Sequence, residues 1–134
     1  GRRNLATVIV NRLNNKETFE GDTSTYRTPI YVEHLTKGIT ELITNYRPGI
    51  FHIAGTDWIN MYQFGLAVAE VFDLDKGLVT PVPSFSNPPS SLLQSERPEP
   101  SLRPDILGLN CKKTSQMLKL PDFSVITGLQ NMLQ

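Results

Sequence analysis

Seven of the ten prolines in this chain fall between Pro81 and Pro104. Proline fixes φ and offers no N–H to a helix or a ladder, so little regular structure is expected there. The fold must be built from what lies on either side. A Pro/Ser-rich loop over about 81–108 is expected, of the length that in a compact domain is either functional or disordered. The 134 residues otherwise suit one domain with a single core.

Before that loop the apolar pattern alternates between helical and extended periods. Leu5, Val8, Ile9 and Leu13 predict a helix over 4–15, stopped by Asn14-Asn15. Thr18 to Glu20, closed by a Gly21-Asp22 turn, and Thr28 to Val32 read as two short strands. Leu35, Ile39, Leu42 and Ile43 return to helical spacing and end before Arg47-Pro48-Gly49. Ile50 to Ala54 is a compact apolar run expected as a buried strand, which would complete a β-α-β unit. Asn60, with Gln63 three residues on, predicts a capped helix with Met61, Phe64, Val68, Val71 and Phe72 inward. Leu78 to Thr80 reads as a strand. Two helices, over about 111–119 behind Asn110 and about 124–133, close the chain. The fold class is thus α/β, a small lobe with about five helices and short, partly parallel strands.

Thirteen basic residues balance thirteen acidic ones, so no sequence-independent grip on nucleic acid or anionic lipid is expected. The single cysteine, Cys111, rules out an internal disulfide and suits a reducing, cytoplasmic setting. Gly1-Arg2-Arg3 runs into the first helix with no strand before it, an opening that predicts a piece of a longer protein.

Motifs for whole reactions are missing from the sequence. No two glycines stand three apart, so neither a Rossmann pyrophosphate turn nor a P-loop can be built. None of Tyr26, Tyr31, Tyr46 and Tyr62 is followed four residues later by the lysine that would lower a phenol's pKa for proton transfer. His34, His52 and Cys111 are too scattered for a metal site. His52, inside an apolar run, is expected as a core or lining residue rather than a catalytic one. No catalytic residue is therefore assigned.

Three collinear segments carry a resemblance: Tyr26-Arg27-Thr28-Pro29-Ile30-Tyr31-Val32-Glu33-His34-Leu35, Gly49-Ile50-Phe51-His52-Ile53-Ala54-Gly55, and Leu102-Arg103-Pro104-Asp105 with Leu109-Asn110 and Lys113. Together they resemble the C-terminal half of the extended short-chain dehydrogenase/reductases, above all the dTDP-4-dehydrorhamnose reductases. The resemblance implies a lobe that binds a nucleotide-linked deoxysugar while a missing N-terminal Rossmann half holds NAD(P)H and the catalytic groups. No cofactor is then expected in this chain itself. It also implies that Arg27 and Arg103, the latter just before Pro104, approach the substrate diphosphate. A guanidinium's planar fork of donors suits phosphate oxygens. Trp58, in the loop after the central apolar run, offers either a stacking face for a ring or packing within its own domain. Glu33-His34 departs from the Asp-Asp pair common in relatives. The same architecture serves nucleotide-sugar epimerases and dehydratases, and non-catalytic relatives that bind a partner protein. A lobe cut from its other half is expected to expose an apolar patch and to pair through it, as a homodimer for example.

Overall fold

The computed structural model describes residues 4–45, 48–83 and 106–133. Helix α1 (Leu5–Asn14) starts where Asn4 Oδ1 accepts the Thr7 N–H at 2.8 Å, and buries Ala6, Ile9 and Leu13 at helical spacing. Beyond it Lys16 takes a left-handed conformation, φ 61°, and turns the chain into strand β1 (Phe19–Asp22).

β1 pairs in parallel with β2 (Val79–Val82), Phe19 opposite Val79 and Gly21 opposite Pro81. In a two-stranded ladder each strand keeps one free flank, so Pro81 can be accommodated without an N–H to give. Gly21 and Asp22 therefore extend the first strand, where the sequence suggested a turn. The glycine is needed for contact: a Cβ on Gly21 would overlap the backbone of Tyr62.

Tyr62 belongs to α3 (Met61–Val71), the hub of the domain, which packs on α1, on both strands and on α5 (Val125–Asn131). Its start is a full capping box. Asn60 Oδ1 accepts the Gln63 N–H at 2.8 Å, and Gln63 Oε1 accepts the Asn60 N–H at 3.1 Å. Gly65 lets Phe19 and Val79 close on the helix, while Val68 and Ala69 are wholly buried. Ile9, Leu13, Val68, Val125 and Leu129 join this core, and each such side chain contributes about 1.5–3 kcal/mol by leaving water.

The other elements are α2 (Val32–Thr44) and α4 (Lys112–Leu118). Five helices and a parallel strand pair among the described residues make the α/β lobe that the pattern implied. Two expected strands do not form. Thr28 to Val32 finds no ladder partner, Pro29 lacks a donor, and Val32 already opens α2 behind Tyr31. Ile50 to Ala54 pairs with no strand among the described residues, with Ile50 91% exposed and only Ala54 buried. The parallel connection therefore runs from β1 to β2, through α2 and α3, in place of the expected β-α-β unit. Cys111, one residue after the expected Asn110, is the cap position of α4, although Asn110 Oδ1 does accept the Lys112 N–H at 3.1 Å.

Candidate functional site

Arg27, Trp58 and the residues leaving the proline-rich segment meet at one junction. The Arg27 N–H donates to the Ile59 carbonyl, and the Ile59 N–H to the Arg27 carbonyl, both at 3.0 Å. On the other side Tyr26 bridges Ile106, with the Leu107 N–H donating to the Tyr26 carbonyl at 2.9 Å. The Leu109 N–H donates to Thr28 Oγ1 at 3.0 Å, adding a side-chain tie two residues on. Residues 26–28 thus form the middle of a three-segment seam.

Two of the candidate side chains, Arg27 and Trp58, lie on this seam. Arg27 is exposed, and among the described residues its guanidinium makes no ion pair, so its donors remain open to an anion. The Trp58 indole covers Gly108 so closely that a Cβ there would stand 2.6 Å from its ring and 2.8 Å from the Thr28 methyl. Its other side is open, the residue being 46% exposed. Trp58 thus packs on its own domain, one of the two expectations for it, and leaves part of its ring exposed. Arg103 and Pro104 lie outside the described residues.

The loop that carries Trp58 is held from below. A Cβ on Gly55 would overlap the Pro29 carbonyl oxygen, so only a glycine lets the loop lie this near the 28–30 backbone. Thr56 donates from its hydroxyl to Asp122 Oδ1 at 2.6 Å and from its N–H to the Phe123 carbonyl at 3.2 Å. Asp57 Oδ2 accepts the Val125 N–H at 2.7 Å, satisfying an orphan donor in the first turn of α5. Cys111 is buried against this loop, its thiol 3.5 Å from the Ala54 carbonyl.

His34, on the first turn of α2, is buried between Tyr31 and Phe123. Burial in this apolar stack, assisted by nearby Lys37, lowers its pKa against the opposing pull of Glu33 and Asp122. The Tyr31 phenol is pushed up, first by loss of solvent and then by its hydrogen bond to Glu33 and that residue's charge. His52, expected in the core or lining a site, is instead exposed. Its backbone N–H donates to Thr114 Oγ1 at 3.3 Å, and among the described residues the run around it has no sheet to be buried in.

A separate cavity of about 260 Å³ opens between the start of α1, residues 29–32 and α5. Leu5, Val32, Leu129 and Met132 make it chiefly apolar, and neither Arg27 nor Trp58 reaches it. Among the described residues no cluster of His, Cys, Asp or Glu could hold a metal ion, and no helix is long and apolar enough to cross a membrane.

Sequence reading named Arg27 and Trp58 but missed Asp57, Gly55 and Gly108, which hold the loop in place. The glycines gave a faint signal, each beside a candidate segment; Asp57 gave none, since its partner lies at the far end of the chain.

No curated protein matches this sequence. A family model described as the RmlD substrate binding domain matches residues 1–134, the same three segments included. With the lobe's α/β architecture in agreement, the chain belongs to the RmlD substrate binding domain family.

Proposed function

We propose that residues 1–134 form the nucleotide-sugar-binding domain of a reductase resembling the dTDP-4-dehydrorhamnose reductases, and that they bind substrate without transforming it. The observation that carries this is the seam. Arg27 makes no ion pair among the described residues, Trp58 presents ring surface beside Gly108, and Ile106 follows Arg103-Pro104 by only a few residues in sequence. Arg27 and Arg103 would hold the diphosphate, and Trp58 would lie against a ring of the nucleotide or the sugar. Hydride would come from NAD(P)H on an N-terminal Rossmann half, which would also supply the proton-transfer groups.

The surface supports a partner for that role. Val32, Ile39 and Ile43 form an exposed stripe along α2, and the unpaired Ile50 stands 91% exposed. Apolar side chains in such a row suit docking against another domain or a second copy of the chain. Calorimetric titration with dTDP and with NADPH tests the reading. Saturable dTDP binding that Arg103→Ala weakens, without NADPH binding, is the expected result. A folded domain indifferent to dTDP, in a parent chain that binds a protein partner instead, would favour the non-catalytic relatives.

A further inference from the structure

His34 is a histidine with one side-chain partner where it could use two. Its ring is stacked on Phe123 with centroids 5.0 Å apart and planes 18° apart, and the Tyr31 ring meets it edge-on at 5.5 Å. Nε2 lies 3.1 Å from Asn131 Nδ2 on α5, while Nδ1 is buried with no hydrogen-bond partner among the described residues. The Asn131 amide nitrogen is a donor, so Nε2 accepts and the neutral ring carries its proton on Nδ1. A second proton would go to Nε2, set a donor against the Asn131 donor and place a cation in an apolar stack.

Charges facing the ring come from two elements. Glu33 and Lys37 share α2 with it, and Asp122 comes from the segment before α5; Val125–Asn131 contains no titratable side chain. The two carboxylates favour the proton, burial and Lys37 oppose it, and the balance keeps His34 neutral below the ordinary histidine range.

The segment under the ring is also the one that holds the Trp58 loop. Asp122 and Phe123 bond Thr56, and Val125 bonds Asp57. We propose that His34 is a proton-sensitive latch: neutral, it seats Phe123 and fixes residues 56–58; protonated, it unseats Phe123 and releases Trp58 from Gly108. This coupling goes beyond the ligand reading and stands whichever ligand the seam takes.

Trp58 is the only tryptophan, so its emission reports the loop directly. The chain is titrated from pH 8 to 5 with emission, far-ultraviolet circular dichroism and histidine proton resonances followed together. The expected result is a reversible red shift of Trp58 at constant helix content. Its midpoint should lie below the ordinary value of about 6.5 and coincide with the His34 titration. His52→Gln keeps the step, and so does Asp122→Asn with its midpoint moved down, since a carboxylate that favours the proton is gone. His34→Phe, which fills the stack without a titrating group, abolishes it. A step that persists in His34→Phe, or that appears only with loss of helix, overturns the latch. Should His34→Phe not fold, the native chain decides: the Trp58 indole N–H must shift with the His34 midpoint, and a different midpoint or no shift overturns the proposal.

Discussion

Gly55 and Pro29 cross so closely that the glycine's missing side chain is what allows the Trp58 loop to lie on the 28–30 segment. The obstruction is backbone, which cannot rotate away as a side chain can. Gly55→Ala should destabilise the domain by about 3 kcal/mol or more. Urea denaturation followed by circular dichroism measures it; a loss under about 1 kcal/mol would mean the two segments separate easily.

Asp57 joins the same loop to the first turn of α5 through Val125. Replacing it with alanine removes a charge-assisted acceptor at a helix N-terminus, an effect of about 1–2 kcal/mol. Asp57→Asn keeps an acceptor and should recover part of that. Thermal melts of the pair compare them, and equal stability of all three proteins would show the bond to be dispensable.

Gly108 differs from Gly55 because what crowds it is the far edge of an indole and a methyl group. Gly108→Ala should leave the fold intact at a cost of about 1–2 kcal/mol while displacing Trp58. Its emission maximum should move and dTDP affinity should fall. Unchanged emission in the folded variant would place the indole elsewhere.

Arg27, exposed and without an ion pair among the described residues, should matter for binding and little for folding. Arg27→Ala is expected to shift stability by less than about 0.5 kcal/mol. Loss of charge-assisted bonds to a diphosphate should weaken dTDP by about tenfold to a hundredfold. Arg27→Lys should restore only part of it, since an ammonium lacks the fork. Wild-type affinity in the alanine variant would remove Arg27 from the site.

Stability should fall as pH drops below about 6.5. The His34 pKa is lowered in the folded state, so between its unfolded and folded values the unfolded chain holds the extra proton. Stability therefore rises with pH across that window and flattens above it. Denaturation midpoints at several pH values between 5 and 8 should show this slope, and His34→Phe should reduce it.

Elements whose evidence is local were legible in the sequence. The α1 stripe of Ile9 and Leu13 and the Asn60–Gln63 box each lie within a few residues, and both stand as expected. Gly21 was misread because turn and close approach call for the same residue, and only the arrival of Tyr62 separates them. Ile50 to Ala54 has a strand's composition, but a strand is a relation to a neighbour, and no described segment pairs with it. The candidate site was legible in the residues that face outward, Arg27 and Trp58. Its supports were hidden, because Asp57 acts on Val125 and Gly108 on Trp58 across long stretches of chain.

The parallel pairing of Phe19–Asp22 with Val79–Val82 has a kinetic side. During synthesis the first strand must wait, with the Ile9 and Leu13 side chains before it uncovered, until α2, α3 and then β2 have left the ribosome. Contacts so distant in sequence form slowly, and a chain stalled before Val79 would carry a sticky, half-built core. The nascent domain should therefore depend on chaperones most strongly over that interval, and become independent of them only once α5 has brought Val125 and Leu129 to the core.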